Sequence, residues 1–214
     1  RRGPPGCLAP LRLLATAHPG RAAACVLSGF LGGLALAPAD TFKIKFLQDQ
    51  HGLSPAVVSA CTIGSGLVNM LAFPHIGRFG DAHGRRLLVT LFYALSPLAN
   101  LLFYNAPGAL FLPAYFLQMA SGLPLLVLSG TFFAEAFPVS HRSTAQSAMT
   151  VANVLGGLLG LTCESLLYDA LGFASHSWAI SLLCLAGAPM PFIVHFCMPD
   201  MLGHDIDDVS SERH

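Results

Sequence analysis

Two short polar stretches of an otherwise apolar chain bring acids and arginines together. Residues 77–86 read Gly-Arg-Phe-Gly-Asp-Ala-His-Gly-Arg-Arg and place Asp81 among three arginines, while residues 135–142 place Glu135 near Arg142. Carboxylates and guanidinium groups at this spacing form charge-assisted hydrogen bonds. Glycine permits the positive φ angles of a tight turn, so the first stretch predicts a hairpin loop that holds Asp81.

We call these residues the charge latch and interpret them as parts that set conformation, separate from any ligand site. The competing interpretation is that they only fix topology and fold the loops. The predicted members are Gly77, Gly80, Asp81, Gly84, Arg85, Arg86, Glu135 and Arg142.

Isolated polar side chains recur inside the apolar runs at helical spacing. Thr62, Ser65 and Asn69, for example, share one face of a helix. Polar groups in such a position face protein or water rather than lipid, and acids there are functional candidates. The predicted ligand-cavity residues are Asp40, Thr62, Ser65, Asn69, Gln118, Ser121, Asn153 and Glu164.

Each of these candidates also has a plain structural alternative. Asp40 and Lys43 are three residues apart and can pair locally at a solvated helix end. Asn69 can join two helices by a hydrogen bond, as amides in membrane helices commonly do. Glu164 can be a solvated acid near the outer boundary.

The composition indicates a membrane protein. Hydrophobic residues make up 54% of the 214 residues and charged residues only 10%, and the mean hydropathy is +0.63. A typical soluble domain has about a quarter charged residues. The formal net charge is zero, so no basic field for nucleic acid exists. The histidines are scattered and the six cysteines have no C-x-x-C spacing, so we expect no metal site, no cofactor and no enzyme.

Apolar runs of about 20 residues predict membrane-spanning helices. The expected fold is all-α and polytopic, with a cytoplasmic connector at 1–21, a six-helix transmembrane bundle at 22–198 and a cytoplasmic tail at 199–214. The expected spans are 22–48, 55–76, 87–104, 109–134, 144–170 and 175–198.

The distribution of positive charge predicts the orientation. If the N-terminus is inside, nine of the eleven Lys and Arg residues are cytoplasmic. This satisfies the positive-inside rule. We therefore expect a multi-pass protein of the plasma membrane or bacterial inner membrane with both termini in the cytoplasm.

Three motifs resemble those of the major facilitator superfamily. The G-x-F-G-D-x-x-G-R-R spacing of residues 77–86 resembles its signature loop, and the E-x-F-P-x-x-x-R spacing from Glu135 to Arg142 resembles a loop of its sugar-porter-like and organic-ion-transporter-like branches. Pro199 and Gly203 match the ending of the sugar-porter-like branch, although Asp replaces each Glu.

The resemblance implies the C-terminal half of a twelve-helix transporter, built as two inverted three-helix repeats. The first, second, fourth and fifth helices would line a cavity near the membrane midplane, shared with an N-terminal six-helix half, and the third and sixth would face lipid. The implied function is secondary active transport of a small organic solute by alternating access.

The solute is less well indicated than the class. The paired glutamines and the G-P-x-P-W run of sugar porters are absent, which argues against a hexose site. An organic acid, a sugar-like compound or a drug-like compound remains open, as does the coupling proton or ion. The alternative function is a non-transporting or truncated membrane scaffold, or a six-helix protein that acts only on pairing with another half.

Overall fold

A computed structural model of the chain describes residues 9–108, 110–171 and 176–198, and the regular structure in these ranges is helical throughout. The elements are α1 (Ala9–Ala17), α2 (Pro19–His51), α3 (Pro55–His83), α4 (Arg85–Asn105), α5 (Phe111–Glu135), a 3₁₀ turn (Val139–His141), α6 (Arg142–Leu171), α7 (His176–Leu185) and α8 (Met190–Cys197). The predicted tail at 199–214, with its family-like ending, lies outside the described residues.

Six segments of the described chain are long and apolar enough to cross a membrane. Five are formed by α2 to α6, and α7 and α8 together form the sixth. The prediction of an all-α protein with six spans is confirmed. Consecutive spans run in opposite directions, so the start of α4 and the end of α5 lie at one end of the bundle, and the start of α7 and the end of α2 lie at the other.

The helices α2 and α6 touch backbone to backbone along a line of glycines. A Cβ atom added at Gly33 would lie 2.0 Å from the Asn153 carbonyl oxygen, and one added at Gly156 would lie 2.0 Å from the Phe30 carbonyl oxygen. Only glycine fits at such an approach. The close packing predicted from the Gly29-x-x-x-Gly33 and Gly156-x-x-x-Gly160 patterns is confirmed, and the two patterns face each other. We call this contact the glycine seam.

Aromatic side chains fill the space between α2, α4 and α5. The Phe46 ring lies 5.3 Å from Phe103 and 4.8 Å from Tyr104, and Phe103 lies 5.8 Å from Tyr115. The Tyr104 hydroxyl donates a hydrogen bond of 2.5 Å to the Ala39 carbonyl. These buried rings fix α4 against α2.

The hairpin loop is much shorter than the one predicted over residues 77–86. Helix α3 continues through Gly77, Gly80 and Asp81 to His83, and α4 begins at Arg85, so the reversal takes one residue. That residue is Gly84, with φ of 95°. Gly80 instead allows close contact, because a Cβ there would lie 3.0 Å from a Leu88 methyl. The polar composition marks where the helix leaves the apolar layer, and the helix itself goes on.

The sixth span, predicted as one helix over 175–198, is interrupted. Between α7 and α8 the amides of Ala186, Gly187 and Ala188 bond to carbonyls three residues earlier, at 2.9, 3.0 and 3.0 Å. Pro189 has no amide hydrogen, so it cannot continue the helical ladder. The interruption lets Gly187 pack closely, since a Cβ there would lie 3.2 Å from Ala35.

Candidate functional site

A cavity of about 500 Å³ lies between α2, α4, α5 and α6. Three of the predicted residues, Asp40, Gln118 and Asn153, line it, together with Lys43, and glycines of α2 and α5 leave room beside them. The volume is in the range of sites for small organic ligands. The bundle therefore holds a pocket with both polar and apolar lining, and three of the predicted residues belong to that lining.

Gln118 connects three helices at this cavity. Its Nε2 donates to Asn100 Oδ1 at 3.1 Å and makes a longer contact of 3.4 Å with Asp40 Oδ1. Lys43 Nζ donates to the same Asp40 oxygen at 3.1 Å, so the predicted local pair of Asp40 and Lys43 is confirmed. The cluster joins α2, α4 and α5 and contains one acid and one base.

Two glutamine oxygens in the cavity wall lack a partner among the described residues. They are the Oε1 atoms of Gln118 and Gln146. The Gln118 amide nitrogen faces the side-chain oxygens of Asn100 and Asp40, which leaves its Oε1 as the atom without a described partner. Buried polar atoms normally have partners, so the two oxygens are acceptors available to a bound molecule.

Asn153 lies where the cavity meets the glycine seam. Its Nδ2 donates to the Gly29 carbonyl at 3.2 Å. The side chain thus joins α6 to α2 while also lining the cavity. A change at this residue would affect both packing and the pocket.

The polar stripe of α3 lies outside the cavity wall and packs on α5. Thr62 Oγ1 and Tyr115 Oη are 3.1 Å apart, and Asn69 Nδ2 donates to the Met119 carbonyl at 3.2 Å. Ser65 donates to the Thr62 carbonyl of its own helix. The interpretation of Asn69 as an interhelical hydrogen bond is confirmed. Ser121 also lies outside the wall and donates to the Gln118 carbonyl at 3.0 Å.

Helix α4, which forms the third span, lines the cavity where α3, the second span, was expected. Tyr93, Ser96 and Asn100 line the cavity, and all three are buried. The expectation that this helix is peripheral and faces only lipid is wrong. Its polar side chains follow steps of three and four residues, the same spacing as Thr62, Ser65 and Asn69. This spacing could have been used to predict that α4 lines the cavity.

The charge latch centres on Arg85. This guanidinium pairs with Asp81 at 3.0 Å and also with Glu135 at the end of α5. The two remaining predicted arginines bond to backbone. Arg86 donates to the Met198 carbonyl at 3.3 Å, and Arg142 Nε donates to the Phe137 carbonyl at 3.1 Å.

Glu164 is enclosed at the far end of α6. It is 1% exposed, and a carboxylate oxygen pairs with Nδ1 of His176 at the start of α7. The alternative of a solvated acid is wrong. The residue lies outside the wall of the 500 Å³ cavity, so it belongs to a separate feature.

Six membrane spans, a polar cavity among them and a charged hairpin between the second and third spans define a polytopic membrane protein with an internal cavity. The family model of the Major Facilitator Superfamily matches residues 22–202. The chain belongs to this superfamily.

One relative bears on the branch. The chain is 28% identical over 162 residues to Solute carrier family 22 member 18 of Rattus norvegicus, and the match covers 73% of the chain. The same match covers 38% of the relative, so the chain spans well under half of that protein's length.

Proposed function

We propose that the chain forms one six-helix half of a secondary active transporter that moves a small organic solute by alternating access. The observation that carries the proposal is the 500 Å³ cavity, with its Asp40–Lys43–Gln118–Asn100 cluster and two glutamine oxygens without described partners. Family membership and the similarity to a protein named as a solute carrier support the same function.

The lining suggests the chemistry of the solute. The acid and base of the cluster offset each other, and the available oxygens of Gln118 and Gln146 are acceptors. A site of this kind favours a solute that donates hydrogen bonds and has an apolar body for the leucine and methionine surfaces around it. We propose such a solute rather than a strongly charged anion.

The outer faces of two helices support the proposal of a partner half. Only 17% of the apolar stretch of α3 is buried in this chain, against 56% for α2 and 28% for the span that contains α6. Large apolar side chains are exposed on both helices, including Ile63 and Leu67 on α3 and Val154 and Leu158 on α6. We propose that a second six-helix half covers part of this surface, with both termini of this chain cytoplasmic.

Transport by the full-length protein in proteoliposomes tests the proposal. Uptake is measured for three labelled probes, a protonated amine, a carboxylate and a neutral polyol. For the probe that is transported, Gln118→Leu and Gln146→Leu should each raise the apparent half-saturation constant about tenfold, because each removes a polar contact of about 1.4 kcal/mol.

Ser121→Ala is the matched control. Ser121 is a buried polar residue of the same helix as Gln118 but lies outside the cavity wall, so its change should leave the constant unaltered. Unchanged constants in both glutamine variants at normal membrane abundance would place the solute elsewhere. Uptake of none of the probes above that of empty liposomes would argue for the non-transporting alternative.

A further inference from the structure

Helix α1 is too short to cross a membrane and packs on one end of the bundle. It has nine residues, whereas a membrane span needs about 20. His18, with φ of −137° and ψ of 64°, separates it from α2. Leu14 is 2% exposed and belongs to a buried apolar cluster with Cys25 of α2, Ala145 of α6 and Phe137 after α5. This is the end of the bundle that carries the charge latch.

A groove of about 380 Å³ lies between α1, α2 and α6. Its wall is entirely apolar and includes Leu14 and Ala15 of α1, Ala22 and Val26 of α2, and Ala148 of α6. Ala15 and Val26 are exposed, so the groove opens to the outside of the bundle. We call this feature the α1 groove.

The α1 groove reaches into the apolar layer. Helix α2 belongs to the first membrane span from Pro19 onward, and Val26 lies seven residues further along. At 1.5 Å per residue the groove wall therefore follows α2 for about 10 Å. A groove that starts at the end of the bundle and runs along a span is bordered by lipid chains on its open side.

The segment around the groove is positively charged. Residues 1–39 contain four arginines and no Asp or Glu, and the first acid, Asp40, is about 30 Å further along α2 than Pro19. Arg12 is exposed and lies two residues before Leu14. Within the described part of the chain no acid pairs with Arg12. A guanidinium in this position can bind a phosphate through two parallel hydrogen bonds.

The faces of α1 match a position at the membrane surface. Arg12 and Thr16 lie four residues apart on one face, and the Thr16 hydroxyl donates to the Arg12 carbonyl at 3.0 Å. Leu14 points to the other side, into the bundle, and Leu13 is 59% exposed. A helix with a basic polar face and apolar side chains beside it lies in the interface between lipid and water.

We propose that the α1 groove binds an anionic phospholipid, with one acyl chain in the groove and the phosphate at Arg12. The apolar wall holds the chain of any phospholipid, and the arginine supplies the preference for an anionic headgroup. With both termini cytoplasmic, as proposed, the groove opens into the cytoplasmic leaflet, whose surface is negatively charged. The bound lipid fixes α1 to the membrane surface, and this role does not depend on any transported solute.

Photo-cross-linking of the full-length protein in nanodiscs tests the site. The probes are phosphatidylglycerol and phosphatidylcholine, each with a diazirine near the middle of one acyl chain, and peptide mass spectrometry locates the cross-links. At the groove residues the yield with phosphatidylglycerol should exceed that with phosphatidylcholine about fivefold, the factor expected for one arginine near an anionic headgroup. At Leu98 and Leu102, exposed leucines of α4, the two yields should be equal.

Two pairs of variants separate the headgroup contact from the chain contact. Arg12→Gln should reduce the phosphatidylglycerol yield to that of phosphatidylcholine, whereas Arg78→Gln, at an exposed arginine of α3, should keep the preference. Ala23→Phe fills the groove and should remove the groove cross-links of both lipids. Ala17→Phe, at an exposed alanine of α1 outside the groove wall, should leave them unchanged.

Four results would overturn the proposal. Equal yields of the two lipids in the wild-type groove would show ordinary lipid contact, and no groove cross-link with either lipid, while α4 is labelled, would show that protein covers the groove. A preference that persists in Arg12→Gln, or groove cross-links that persist in Ala23→Phe, would each refute one of the two contacts. If Arg12→Gln fails to reach the membrane, about 1 M salt replaces it, because screening at that concentration should remove the preference in the wild-type protein.

Discussion

The contact between α2 and α6 and the contact between α3 and α5 are built from different atoms. Along the glycine seam, backbone meets backbone, so closely that a single methyl group at Gly33 would lie 2.0 Å from the Asn153 carbonyl oxygen. Helix α3, in contrast, reaches α5 through side chains. These are the Thr62–Tyr115 contact of 3.1 Å and the hydrogen bond of 3.2 Å from Asn69 to the Met119 carbonyl.

The difference suggests which parts of the bundle stay together and which can move. Interdigitated backbones cannot slide past each other without separating first, so we expect α2 and α6 to behave as one body. Side-chain hydrogen bonds can exchange partners at a cost of about 1 kcal/mol. We therefore expect the α3–α5 contact to adjust during the proposed transport cycle while the seam persists.

The largest effect should come from filling the seam. Gly33→Ala places a Cβ against backbone atoms of α6, and backbone cannot move aside as a flexible side chain does. We expect a loss of at least about 3 kcal/mol in the apparent unfolding free energy of the detergent-solubilised protein, with reduced membrane abundance. Thermal unfolding and quantitative surface blots measure the two effects.

Gly20→Ala is the control for this prediction. Gly20 lies in the same helix, and a Cβ there would meet no atom within 4 Å. Replacing a helical glycine by alanine is by itself stabilising by about 0.5 to 1 kcal/mol, so this variant should be as stable as the wild type or slightly more so. Equal stability of Gly33→Ala and Gly20→Ala would contradict the idea of a rigid seam.

Much of the fold could be predicted from the sequence because its signals are local. Long apolar runs must form helices in a membrane. The spacing of Gly29 and Gly33 predicts a close helix–helix contact without identifying the partner helix. Serine followed by proline is an equally local signal of a helix start, and Ser54 Oγ accepts a hydrogen bond from the Val57 amide at 3.4 Å. The point at which a helix ends outside the lipid layer has no such local signal. For this reason α3 was expected to end before Gly77, although it continues to His83.

The cavity wall was harder to predict, because it depends on which faces meet. The stripes of α3 and α4 have identical spacing, but one packs on α5 and the other lines the cavity. Tyr93 reads as an apolar residue until its neighbours are known. The pairing of Glu164 with His176 depends on the α6–α7 hairpin and has no counterpart in the spacing of either helix.

An intermediate effect should come from the α3–α5 contact. Asn69→Ala removes the donor to the Met119 carbonyl and should lower the apparent unfolding free energy by about 0.6 to 2 kcal/mol, as for other hydrogen bonds between membrane helices. Ser65→Ala changes a buried residue of the same stripe whose described hydrogen bond stays within α3, and it should change stability by no more than about 0.5 kcal/mol.

The same pair of variants also tests the mobility of α3. If α3 exchanges partners during transport, Asn69→Ala should alter the transport rate of the full-length protein more than its half-saturation constant. A loss above about 3 kcal/mol would show that α3 is held as firmly as the seam and would remove the distinction between the two contacts.

The smallest effect on stability should come from the charge latch, which joins the α3–α4 hairpin to α5 at the other end of these helices. Arg85 is 39% exposed, Glu135 31% and Asp81 64%. Pairs exposed to this extent contribute about 0 to 1 kcal/mol each. A bias of that size hardly changes folding, but a bias of 1.4 kcal/mol between two conformations changes their ratio about tenfold.

Glu135→Gln and Asp81→Asn separate the two arms of the latch. The Glu135 arm crosses from α4 to α5, whereas the Asp81 arm connects residues four apart on either side of Gly84. Both variants should slow turnover and leave solute affinity in a trapped conformation unaltered, and Glu135→Gln should slow it more because its arm joins two separate spans. Solute affinity, transport rate and membrane abundance, measured together, test this prediction.

Normal transport at normal abundance in both variants would refute the latch, and lost abundance with normal turnover per molecule would mean that these residues only fold the hairpin. A larger effect of Asp81→Asn would place the moving contact within the α3–α4 hairpin itself, and α3 and α4 would then move relative to each other rather than together against α5.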